Sequence, residues 1–185
     1  MGFGMLCPHA ETVMRFLQEI GLAVAVKSGS KGFIEHIEIV QGGLCVDPRA
    51  PASGLLHEAG HLAIVPTQFR HHLSGNLSNG MAQIYTELAL MELEPDSHLA
   101  RAMIQASDPE ATAWAWAAGK SLEIPEGLII QSGEYDGEGD DIRSSLSARR
   151  YAGINGLSHA GFCVLRKTPY RPLPVYPSLA YWLQQ

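Results

Sequence analysis

Apolar residues recur at helical spacing from His9 to Ile20, where Val13, Met14, Phe16, Leu17 and Ile20 would share a face, and Gly21 stands where such a helix would stop. Leu22 to Val26 reads as a short strand of small and branched residues, followed by the turn-forming Ser28-Gly29-Ser30-Lys31-Gly32. His36-Ile37-Glu38-Ile39-Val40 alternates polar with apolar, Gln41-Gly42-Gly43 offers a tight reversal, and Leu44-Cys45-Val46 resumes, which together describe a hairpin. Asp47-Pro48-Arg49-Ala50-Pro51 breaks that pattern. After it Leu55, Leu56, Ala59, Leu62, Ala63 and Ile64 predict a buried helix, with Ser53 or Asp47 marking its start and Pro66 closing it.

Thr67 to Asn79 is polar and rich in His and Gly, and is expected to be an irregular loop. Helical periodicity returns over Gly80 to Glu94 through Met81, Ile84, Leu88 and Met91, with Pro95 as its stop, and a short helix is expected around Ser97 to Gln105. Asp108-Pro109-Glu110 supplies an N-cap, a proline at the first helical position and an acid in the first turn. The helix it opens carries Ala111, Ala113, Trp114, Trp116, Ala117 and Leu122, and ends before Pro125 and Gly127. The acidic, glycine-rich segment Gly133 to Asp141 reads as a flexible loop without the closing Glu of a calcium loop. A helix from Ile142 to Leu157 is expected next, then Phe162 to Leu165 and a proline-punctuated tail that Tyr170, Tyr176, Tyr181 and Trp182 would pin to the body.

The 185 residues suit one domain with its own core, without internal repeats, in which residues 142–185 form a basic, proline-rich extension packed on the rest. Residues 1–141 hold all 19 acids, while residues 142–185 hold six bases and none of the acids. Those bases, Arg143, Arg149, Arg150, Arg166, Lys167 and Arg171, lack interleaved aromatics or a reader motif, so docking on the acidic body is expected rather than a nucleic-acid partner. Cys7, Cys45 and Cys163 are odd in number and widely spaced, which predicts core thiols in a reducing compartment. With no basic, apolar leader before Pro8 and no run long enough to span a bilayer, a cytoplasmic protein with no membrane partner is expected.

One stretch carries chemistry. In His57-Glu58-Ala59-Gly60-His61 the two histidines stand four residues apart, on one face of the predicted helix, where both imidazoles can reach a single metal ion. Glu58 beside them can take a proton from water activated by that metal, the arrangement of a zinc hydrolase. Chance would supply only about 0.02 such matches in a chain of this length and composition. A helix this apolar would bury its histidines, and a shared metal would give both rings a partner. A catalytic zinc needs a third protein ligand, and Glu87 and Glu110 are the leading acids, with His71, His72, His98 and His159 as further donors. Tyr135, Tyr151 and His159 are donors by type for a developing oxyanion.

The order of an opening helix, a small sheet with a hairpin, the His-Glu-x-x-His helix and a later helix bearing an acid resembles the ImmA/IrrE-type zinc metallopeptidases over residues 9 to about 125. In that family a Glu ligand is followed by Ala, an aromatic and Ala at set intervals and then by proline, and Glu110, Ala113, Trp116, Ala117 and Pro125 match in that order. The resemblance implies an α+β, minimal zincin-like domain, mainly helical with a small three-stranded antiparallel or mixed sheet. It further implies zinc held by His57, His61 and Glu110, Glu58 as general base, and cleavage of a protein or peptide substrate such as a repressor. The competing expectation is a non-catalytic module in which the metal is structural and the helix after Glu110 and the basic tail form a partner surface.

Overall fold

The hairpin is set by two adjacent residues. Gln41 and Gly42 both take positive φ, 47° and 76°, the twist a two-residue turn needs to return a strand alongside its neighbour. The computed structural model describes residues 4–185, so Met1 to Phe3, the start of the segment read for a leader, lie outside it. Strands β1 (Val24–Val26), β2 (Ile37–Val40) and β3 (Gly43–Val46) form one sheet in the order β1-β3-β2, with β1 parallel and β2 antiparallel to β3. Helix α1 (Pro8–Glu19) precedes them, buries Ala10, Val13 and Leu17, and ends at Gly21, whose φ is 97°. The fold is α+β, mainly helical, with a small three-stranded mixed sheet.

Two helices make the centre. Helix α2 (Ala52–Ile64) packs against β2, β3 and α1 on one side and against α5 (Asp108–Ser121) on the other. Every residue of α2 is buried except His57 and His61, so one edge of an otherwise enclosed helix opens outward at the two imidazoles. In α5 the ten residues Glu110 to Gly119 are all buried, and Trp114 and Trp116 fill much of the core. The backbones meet at Gly60: a β-carbon there would lie 2.5 Å from the carbonyl oxygen of Ala111. Only a residue without a side chain permits that approach.

Neither residue expected to start α2 does so. Pro51 is its N-cap, with no side-chain cap bond. Ser53 lies inside the helix and accepts from Gln131 Nε2 at 2.9 Å, while Asp47 accepts from the Gly29 and Arg49 amides and the Arg49 guanidinium. After α2 the irregular loop is shorter than the polarity of the segment implies. A 3-10 turn covers Arg70–His72, and Asn76 caps α3 (Leu77–Leu90) through Ser78 N, so the helix starts three residues early. It stops at Met91 rather than at Pro95. Helix α4 (His98–Ile104) is capped by Ser97, as the pattern indicates.

Ser107, not Asp108, is the N-cap of α5, and the short α6 (Glu126–Ile129) follows it. The acidic segment is partly structured: a 3-10 turn at Tyr135–Gly137 leads into α7 (Gly139–Ser147), whose Asp140 pairs with Arg143. The single helix expected over 142–157 is two, because Arg149 at φ 57° breaks the path before α8 (Ala152–His159). Helix α8 packs on the side of α5 away from α2.

The C-terminal segment returns to the central pair. Tyr176 Oη donates to Ala113 O, Trp114 Nε1 donates to Trp182 O at 2.9 Å, and the Gln184 amide donates to Ala63 O. Buried Arg70 donates to Leu62 O, Val65 O and Gln184 O, so one guanidinium satisfies the free carbonyls ending α2 and ties the tail to them. Tyr170 is the exception among the expected anchors, at 91% exposure. Cys163 is fully buried, and burial pushes its thiol up to about 12. Among the described residues no helix is long and apolar enough to cross a membrane.

The Gly60 contact makes a direct prediction. Gly60→Ala should separate α2 from α5 and cost about 1–3 kcal/mol in urea unfolding, whereas Gly127→Ala, with open space around it, should change stability by less than about 0.5 kcal/mol.

Candidate metal centre

The one-turn interval between His57 and His61 places both Nε2 atoms at the same point outside α2, 3.2 Å apart. Asp108, the first residue of α5, reaches in from the facing helix. Its Oδ1 lies 3.3 Å from His57 Nε2 and 3.5 Å from His61 Nε2. These three form the candidate metal-binding group among the described residues.

The spacing tests the fit to a metal. Tetrahedral coordination at zinc-to-nitrogen and zinc-to-oxygen distances of about 2.0–2.1 Å sets neighbouring ligand atoms about 3.3–3.4 Å apart. The triangle of 3.2, 3.3 and 3.5 Å is therefore one face of such a tetrahedron. Two neutral nitrogen donors and one carboxylate are also a donor set that zinc accepts. Without a metal, hydrogen bonds from the two histidines hold the Asp108 carboxyl well below the usual carboxylate range, so the acid is already ionised when an ion takes the place of those protons.

His57 has a second fixed partner. Its Nδ1 lies 3.0 Å from Tyr135 Oη, which lies 3.0 Å from Oγ1 of the fully buried Thr112 on α5. In the tautomer that frees Nε2 for a metal, Nδ1–H donates to Tyr135 and the tyrosine donates onward to Thr112. Burial raises the Tyr135 pKa above that of an exposed tyrosine, keeping the phenol protonated for that role. Holding it there costs backbone strain: Tyr135 and Asp136 are consecutive non-glycine residues at φ 55° and 58°. Of the three residues expected by type as oxyanion donors, Tyr135 is thus engaged with a histidine. Tyr151 is half-buried, and His159 is exposed at the end of α8.

Glu58 is 4% exposed and lines the same cleft as the histidines and Asp108. Burial lifts its carboxyl above the ordinary range, against the pull of His61, His57 and the Ile34 amide. The cleft holds about 590 Å³, and Lys31, Phe33, Glu38 and Leu77 complete much of its wall. His57 and His61 are half-buried rather than hidden, because this opening lies along their edge of α2.

The acids expected as third ligand lie elsewhere. Glu110 is buried, accepts from Ser107 Oγ, and sits over Gly156 of α8, where a β-carbon would overlap its carboxylate. Two helical residues turn by about 200°, so Asp108 facing α2 and Glu110 facing α8 follow from one helix. Glu87 on α3 is paired with His72 at 2.7 Å. Asp108 reads from sequence as a cap, yet two signals in the chain point past that reading. Ser107-x-x-Glu110 has the spacing of a capping box, which gives Glu110 a local task. Asp108, Ala111, Trp114 and Ala115 also repeat the acid-Ala-aromatic-Ala interval two residues earlier. Comparison with protein-family profiles, curated proteins and solved structures found no match.

Asp108→Ala should weaken zinc binding more than about a hundredfold in a competition titration, while Glu110→Gln should retain stoichiometric zinc by elemental analysis. The reverse pattern would return Glu110 to the ligand set.

Proposed function

We propose that this chain is a zinc-dependent peptidase of the cytoplasm, with His57, His61 and Asp108 as metal ligands and Glu58 as general base. One observation carries the reading: three donor atoms at tetrahedral spacing and a buried carboxylate outside that triangle share the wall of an open cleft. The likeness of residues 9 to about 125 to the ImmA/IrrE-type zinc metallopeptidases supports it and suggests a regulatory protein as substrate.

Zinc, when bound, would polarise a substrate carbonyl and lower the pKa of water toward neutrality. The chain's residues divide the rest of the work. Glu58, with its proton affinity raised by burial, takes a proton from the attacking water at a carboxylate oxygen and delivers it to the leaving amine. Tyr135 and Thr112 fix the ring of His57, and the Gly60 contact fixes Asp108 against both imidazoles. The cleft gives an extended peptide access from outside. A structural metal would be completed by a fourth protein donor, and none joins the group among the described residues.

Glu58→Gln should bind zinc at the wild-type stoichiometry and lose peptide hydrolysis by about 10²–10⁴-fold. Wild-type rates in that variant would rule out the mechanism.

A further inference from the structure

Beside the main cleft, and sharing Phe33, His57 and Asp108 with it, lies a second cavity of about 390 Å³. Its walls are apolar and firm: Ala115, Ile129 and Ile130 are core residues, and Ile34 packs against the core. Its charged members beyond the shared Asp108 are of one sign. Glu134 and Asp136 line it, and Lys and Arg do not. At the junction of the two cavities Phe33 is 96% exposed, an aromatic ring with both faces available.

A side chain entering here meets core hydrocarbon together with negative charge, part of it on the exposed Asp136. A carboxylate would be repelled, and an apolar residue would gain nothing from the acids. Lysine and arginine combine a three- or four-carbon stem with a cationic end, which suits apolar walls beside acids. Phe33 at the mouth offers the same cation an aromatic face. We propose that this cavity is the specificity subsite of the cleft, taking an arginine or lysine side chain of an extended peptide next to the bond that is cut. The stem would lie against Ile34, Ile129 and Ile130, with the cation toward Glu134 and Asp136. The assignment rests on the peptidase reading for the bond cut, and on the cavity alone for the side chain bound.

The test separates the two. Zinc-loaded Glu58→Gln protein is titrated by fluorescence anisotropy with labelled peptides of about ten residues, identical except for a central Arg, Lys, Met or Glu. Arg and Lys should bind about tenfold tighter than Met or Glu. Adding Glu134→Gln and Asp136→Asn should reduce that advantage below about threefold while the Met peptide binds as before. Both changes suit the fold: Glu134→Gln keeps a side-chain oxygen for the Gln131 amide that Glu134 now accepts from, and Asp136→Asn introduces a residue that tolerates the φ of 58° at that position. Phe33→Ala, at an exposed position, should weaken the Arg and Lys peptides selectively. Met binding as tightly as Arg, an Arg preference surviving loss of both acids, or no binding of any peptide would overturn the subsite. With wild-type protein, a binding preference without hydrolysis would instead overturn the peptidase reading, and hydrolysis without a preference would overturn the subsite alone.

Discussion

The close approach of α2 and α5 at Gly60 and Ala111 is the constraint on which the site depends. Each helix supplies an incomplete set of donors, two imidazoles from one and a carboxylate from the other. Donor atoms must converge to within about 0.2 Å to bind one ion well, so the distance between two backbones becomes a chemical variable. The fold secures it from several sides: tryptophans of α5 fill the core, α8 braces the far face of α5, and Arg70 with the returning tail closes the end of α2.

Local charges are arranged around that contact with a consistent sign. Without a metal, Asp108 keeps its negative charge because two imidazoles hydrogen-bond to it, while Glu58 is pushed toward protonation because it is enclosed. Two carboxylates on one cleft wall thus have opposite tendencies, one suited to holding a cation and one to receiving a proton. The strained turn at Tyr135 and Asp136 extends the same arrangement outward, bracing His57 from one residue and offering the neighbouring cavity a carboxylate from the next.

Much of this is legible in the sequence. The hairpin, the opening helix and the His-Glu-x-x-His helix follow from periodicity and turn residues, and the mainly helical α+β architecture is what the family resemblance implies. The break between α7 and α8 does not, because it depends on a left-handed Arg149 that no local preference marks. The acid that joins His57 and His61 lies two residues from the expected one for a specific reason. Ala and Trp alternate along α5, so the same interval can be read from Asp108 or from Glu110, and only the rotation of the helix against α2 and α8 chooses between them. The apolar background of α2 likewise implies buried histidines, whereas the cleft that exposes them is built from segments distant in the chain, among them Phe33, Leu77 and Asp108.

An anomalous difference map at the zinc edge, from crystals grown with zinc, locates the ion directly. A single strong peak is expected within bonding distance of His57 Nε2, His61 Nε2 and Asp108 Oδ1, facing the cleft beside Glu58. A peak bonded to Glu110, or no peak between α2 and α5 in zinc-saturated crystals, would contradict this ligand set.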